Sequence, residues 1–158
     1  MNVEALHSVI ARLGLEPLPV EGGWFRRYYV SPEVDATGRP RASAIHFVMS
    51  PEGFSAMHRL QAPETWTFAE GAPIELLVLA PDGTGQVVRL GPDAAAGHLP
   101  SFTVAGRCWQ GARTLGSWSR ADCAMAPAWV ESEFELGSWE ELSKQYPAQA
   151  PLLRALIR

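Results

Sequence analysis

Cysteine is scarce in this chain. Cys108 and Cys123, the two in 158 residues, are too few and too isolated for a disulfide framework or a zinc knuckle, so both are expected as reduced thiols. Positive charge is scarce as well. The formal net charge is −4, which leaves no basic face to neutralise phosphates and argues against nucleic acid as a partner. No apolar run reaches the length of a membrane span. The opening MNVEALHSVIARLGLEP carries Glu4 and His7 where a signal peptide needs a basic start and an apolar stretch. A cytoplasmic protein without a membrane partner is the expectation. Repeats, low-complexity tracts and long linkers are missing too, so residues 1–158 read as one domain. With 47% hydrophobic and 19% charged residues, the chain has enough apolar surface to bury a core and is globular rather than disordered.

What is present falls into three parts. Val3, Leu6, Val9, Ile10 and Leu13 recur at helical spacing, with Gly14 as a stop and Pro17 and Pro19 beyond it. From Trp24 to Leu136 the pattern changes to short β-type runs punctuated by Gly, Pro and Asp. The runs predict strands at Trp24–Val30, Ala42–Met49, Ser55–Leu60, Glu64–Glu70, Ile74–Leu79, Gln86–Leu90, Ser101–Val104, Trp109–Ala112, Trp118–Met125 and Glu133–Phe134. No helix alternates with them, which means a sandwich or barrel rather than a parallel α/β sheet. Ser138 then opens a Ser-Trp-Glu-Glu capping box. A helix is predicted from there to Tyr146, a break at Pro147, and a further turn or two over Pro151–Ile157. The barrel therefore spans about residues 22–136, with a helical tail over 138–158.

The richest stretch is GFSAMHRLQAPETWTFAEGAPIELLVL, from Gly53 to Leu79. Alternation puts Ala56, His58 and Leu60 on one face of their strand, and Glu64, Trp66 and Phe68 on one face of the next. A bore lined this way is mostly apolar with a few convergent polar groups, as small-molecule pockets are. The His–Glu–Gly spacing resembles the first signature of the cupin superfamily, and VAGRCWQGARTLG resembles the second more loosely. The segments EGGWFRRYYVSP, GRPRASAIHFVM, FSAMHRLQAPETWTFAEGAPIEL, VAGRCWQGARTLGSWS and CAMAPAWVESEFELGSWEELSKQYP together resemble the Cupin_5 family (domain of unknown function 985). The resemblance implies an all-β fold: a cupin double-stranded β-helix (jelly-roll barrel) with a short N-terminal helix and a C-terminal helical tail, usually a homodimer. It implies no particular reaction.

Of the cupin metal-ligand positions, His58 and Glu64 match, while Leu60 and Gln110 stand where imidazoles would be. One imidazole and one carboxylate leave a divalent transition metal short of ligands. No cofactor is therefore expected. If a metal is held, His46, His58 and Glu64 are its ligands. Two functional readings follow. In the first, an isomerase or epimerase acts on a carbohydrate-like molecule, with His58 as general base, Glu64 orienting its ring, and Tyr28 or Tyr29 as the acid. In the second, the same groups bind a small polar molecule without turnover. The ligand contacts assigned in either case are His46, Trp66, Phe68, Trp109, Gln110 and Arg26. Only one of Arg26 and Arg27 can face inward, and Arg26 is assigned as that clamp, against the plainer alternative of a salt bridge across a dimer. A structural dimer with its bore filled by Trp66, Phe68 and Trp109 is a third reading. Ser43, Ser55 and Ser119 lack a nucleophile-elbow context, so serine hydrolase chemistry is not expected.

Overall fold

A computed structural model describes residues 3–158. Among the described residues, eleven strands form two antiparallel sheets packed face to face. The first sheet contains β1 (Glu16–Pro17), β2 (Trp24–Val30), β3 (Ser43–Met49), β5 (Glu64–Gly71), β8 (Ser101–Val104) and β10 (Ser119–Met125), in the order β1-β2-β3-β10-β5-β8. The second contains β4 (Ser55–Arg59), β6 (Ile74–Leu79), β7 (Gly85–Leu90), β9 (Trp109–Thr114) and β11 (Glu135–Leu136), in the order β11-β4-β9-β6-β7. This is the expected all-β jelly roll.

Residues directly opposite one another in antiparallel strands share a face, so the register sorts the side chains into rows. One inward row of the first sheet is Arg27, Ile45, Cys123, Trp66 and Phe102. The row on one side of it is Ser43, Met125, Glu64 and Val104, and on the other Phe25, Phe47, Ala121 and Phe68. In the second sheet His58, Gln110 and Val78 lie in one row. Phe47, Met49, Trp66, Ile74, Leu76, Leu90 and Ala112 meet between the sheets as the main core.

Both outer faces are covered in part. The helix α1 (Val3–Leu13) lays Leu6 and Val9 against Val48 and Trp118 on the back of the first sheet. It stops at Gly14, whose φ of +63° is a left-handed cap that glycine adopts without strain. The tail helices α2 (Trp139–Gln145) and α3 (Ala150–Ala155) place Leu142, Tyr146 and Leu153 on Met57, Leu77, Leu79 and Trp109 of the second sheet. Ser138 caps α2 as its sequence predicts, its Oγ accepting from the Glu141 amide at 3.3 Å.

The predicted strands match the observed ones to within one residue at an end, with three larger differences. The two-residue β1 is too short to show a pattern. The last strand is Glu135–Leu136 rather than Glu133–Phe134, because residues 131–133 form a 3-10 turn. Trp109 opens a strand two residues longer than expected.

The turn before β2 holds the loop that roofs one end of the bore. Leu18 N donates to Gly23 O at 2.9 Å and Gly22 N to Leu18 O at 3.1 Å. Gly22, at φ +106°, is packed against the Arg158 guanidinium and the Phe54 carbonyl with no room for a Cβ. Gly22→Ala combines a positive φ with a backbone clash and is expected to cost about 1–3 kcal/mol. Urea unfolding measures this, and an unchanged midpoint would contradict the assignment of this turn.

Candidate functional site

A cavity of about 460 Å³ opens between the sheets beneath that loop. Its walls are apolar and aromatic, with Phe25, Ile45, Phe47, Leu60, Trp66 and Phe134 among them. Its polar groups are Glu21, His58 and Glu64, with Arg27, Ser43 and Glu131 also lining it.

His58 reaches the cavity on the row of Gln110, with Ser55 opposite Ala112 on the same inward face, across a register shift in β4 where the sequence predicts simple alternation. Its Nδ1 lies 2.8 Å from Ala56 O. A carbonyl only accepts, so Nδ1 carries the proton and Nε2 holds the lone pair of the neutral ring. Phe134 stacks on the imidazole with centroids 5.4 Å apart and planes 18° from parallel. Nε2 faces Glu21 Oε1 at 3.8 Å, beyond hydrogen-bond length.

Glu64 opens β5, between Met125 of β10 and Val104 of β8. Burial, and then the charge of Glu21, push its carboxyl up from 4.5 to about 8, against a hydrogen bond from Gln110 that favours the anion. Near neutral pH this side chain is mainly a carboxylic acid. Gln110 Oε1 accepts from Trp66 Nε1 at 2.8 Å, which leaves the amide NH₂ for Glu64. Trp66 is fixed by that bond and by edge-on contact with Phe47. The partner of Glu64 is thus Gln110, and the ring-orienting role expected of Glu64 belongs to Ala56 O.

Sequence reasoning did not assign Glu21, which stands in the loop before β2 where no periodicity marks a facing direction. Its Oε2 accepts from Ser55 Oγ at 2.7 Å, and its backbone carbonyl accepts from Ala56 N at 2.9 Å. Acid followed by a Gly-Gly turn was the one local signal, and it reads as a turn alone.

Several assigned contacts lie elsewhere. His46 shares a row with Arg26 and Asp122 on the outer face of the first sheet. There its Nδ1 donates to Asp122 Oδ1 at 2.7 Å and its ring stacks on Tyr28 at 4.0 Å. The inward neighbours Ile45 and Phe47 exclude it from the bore by parity. Tyr28 goes outward with it and is not the acid. Arg26 follows the same outward row, toward Leu13 O at 3.4 Å. Arg27 is the inward guanidinium, donating to Trp129 O at 3.1 Å. Trp109 faces the tail helices under the guanidinium of Arg59. Phe68 belongs to the core row beyond the cavity. Of the assigned set, His58, Glu64 and Trp66 come together around the cavity, with Gln110 directly behind.

The donor set does not suit the transition metal of other cupins. Leu60 offers no lone pair, Gln110 is engaged by Trp66, and His46 is on the far side of β3. Among the described residues no three His, Cys, Asp or Glu side chains gather closely enough to hold a metal ion.

The buried acid has a consequence for stability. A carboxyl with its folded value near 8 and its unfolded value near 4.5 keeps more proton in the folded state between those limits. Its contribution is fully present below about pH 4.5 and is lost as pH rises toward 8. Glu64→Gln is expected to remove that decline, gaining on the wild type by on the order of a few kcal/mol between pH 5 and 8. Urea titrations across this range check the sign, and parallel curves would show that Glu64 ionises normally.

The comparisons with known proteins agree with this architecture. The family described as Cupin superfamily (DUF985) matches residues 7–137. A crystallised protein from Shewanella oneidensis is 32% identical over 100% of this chain and 98% of its own, with a TM-score of 0.90. A hypothetical protein from Leishmania major is 26% identical over 96% and 97%, with a TM-score of 0.86. A cupin 2 domain-containing protein from Halorhodospira halophila shares the fold at 14% identity over 87% and 84%, with a TM-score of 0.61. No curated protein matches the chain. The chain belongs to the Cupin_5 family of the cupin superfamily, and it keeps that family's barrel around a cavity where a histidine and a buried carboxylic acid face a small, mostly apolar space.

Proposed function

We propose that this cavity carries out proton transfer at the carbon beside a carbonyl group, the chemistry of an isomerase or epimerase acting on a small molecule. The observation that supports it best is the pairing of unlike groups in one cavity: His58 with a free Nε2 lone pair, and Glu64 as an acid held protonated to about pH 8. Groups whose surroundings separate their proton affinities are the natural acid and base of a site.

In this reading His58 Nε2 takes the α-proton, and the C–H electron pair moves through the carbon–carbon bond to the carbonyl oxygen. Glu64 passes its proton to that oxygen, giving a neutral enol, an imidazolium and a carboxylate. The Glu21 carboxylate, 3.8 Å from Nε2, stabilises the imidazolium, while Nδ1–H stays on Ala56 O. The enol then returns its oxygen proton to Glu64 as carbon takes a proton from His58. Return of the proton to the same lobe regenerates the starting carbon, and inversion requires the enol to turn over in the cavity before His58 returns it. The apolar walls strengthen these charges by keeping water out.

The same cavity supports binding without turnover, since its polar groups are few and its aromatic surface large. Solvent exchange separates the two. Wild-type protein incubated in D₂O with a panel of α-hydroxy and α-amino carbonyl compounds is expected to replace an α-hydrogen with deuterium, followed by proton NMR. His58→Ala and Glu64→Gln should slow that exchange about 100-fold or more. Unfolding is not expected for His58→Ala, because its ring stands at a cavity wall. Full exchange by His58→Ala would remove it as the base, and binding without exchange would leave a sensing module.

A further inference from the structure

The polar end of the cavity has an unusual balance. Its two deep carboxyl groups, Glu21 and Glu64, repel each other strongly enough that the charge of Glu21 helps to keep Glu64 protonated. No Lys or Arg side chain pairs with either carboxyl among the described residues. The Arg158 guanidinium feels the Glu21 charge but makes its hydrogen bonds to carbonyl oxygens: Glu21 O at 2.6 Å, Phe54 O at 3.0 Å and Glu52 O at 3.2 Å. Arg27 is drawn to Trp129 O, and a third acid, Glu131, also lines the cavity. An anionic ligand such as a sugar phosphate, a sugar nucleotide or a dicarboxylate would enter against this charge.

A second observation concerns the pair at this end. His58 is 2% exposed, and its Nε2 and Glu21 Oε1 face each other at 3.8 Å, beyond direct hydrogen-bond length. For a neutral ring both atoms are acceptors, and both open into an apolar space. We infer that the cavity takes a compact organic cation, a primary amine with an apolar body, whose ammonium rests on Glu21 while the C–H beside it faces His58. The spacing accommodates this group. An ammonium about 2.8 Å from Oε1, a C–N bond of about 1.5 Å and a carbon about 3–3.5 Å from the base form a path longer than the 3.8 Å gap, so the ligand bows out over the pair into the cavity. Trp66 and Phe134 offer aromatic faces to the apolar body, and such faces also attract cations. Glu64 keeps its proton, because burial rather than Glu21 is the larger cause of its shift.

This inference rests on the proton-transfer reading and narrows its substrate to α-amino carbonyl compounds, ahead of sugars. Three probes of nearly equal shape test it: benzylamine, benzyl alcohol and benzoate, titrated at pH 7 by calorimetry or ligand-observed NMR. Benzylamine is expected to bind at least about 10-fold more tightly than benzyl alcohol, with benzoate weakest. Glu21→Gln, which keeps an acceptor for Ser55, should erase the preference for the amine and leave the alcohol unchanged. Wild-type protein that takes benzoate or benzyl alcohol as tightly as benzylamine, or takes none of the three, overturns the assignment without need of the variant. Failure here is separable from failure of the reading beneath it. Exchange of α-hydrogen on hydroxy-carbonyl compounds without an amine preference removes the ligand class alone. An amine preference without exchange on any α-amino carbonyl compound removes the proton transfer alone.

Discussion

Strand parity is the constraint on which the rest of this molecule depends. Each sheet must bury one face against the other, and part of its back against helices, so each strand residue has one of two fates. Val48 and Trp118 go under α1, which sends Ile45, Phe47 and Trp66 inward. Met57 and Leu79 go under the tail helices, which sends His58 and Gln110 inward. A polar site arises where those inward rows reach the open end of the barrel before the apolar core closes it. There a histidine is locked by its own strand's carbonyl and a glutamic acid is stripped of water. The chemistry of both follows from their depth rather than from any added group.

Much of this was legible in the residues. Alternation in the β4 and β5 segments put His58, Glu64 and Trp66 on inward faces, and the turn residues between the runs marked the strands to within a residue or two. Parity itself was not legible wherever both faces of a strand are covered. His46 lies between two apolar neighbours, Ile45 and Phe47, and its own face carries Ala44 and Val48, so the pattern alone has no sign. Arg26 and Arg27 are adjacent, and one must face each way. The choice depends on the pairing of β2 with β3, where a register shift follows Arg27. From the sequence Trp109 reads as a wall of the bore, because nothing local announces that the tail folds back over it.

Glu21 is the instructive omission. Loop residues have no period, and their side chains are aimed by long-range bonds, here from Ala56, Ser55 and Arg158. The acid that most changes the behaviour of Glu64 is therefore 43 positions earlier in the chain (64 − 21) and belongs to no motif. Family membership supplies the barrel and the expectation of a site within it. The departures at Leu60 and Gln110 turn that site away from metal binding toward a hydrogen-bonded carboxylic acid, since Gln110 serves Trp66 and Glu64 together.

The row of Phe47, Ala121 and Phe68 belongs to the core beside the cavity, and Phe47 is the member that lines it. In the proton-transfer reading, substrate and product share one space of about 460 Å³, so accumulated product competes with its own precursor for it. Residues 18–21 line that space, so the loop holds both molecules alike.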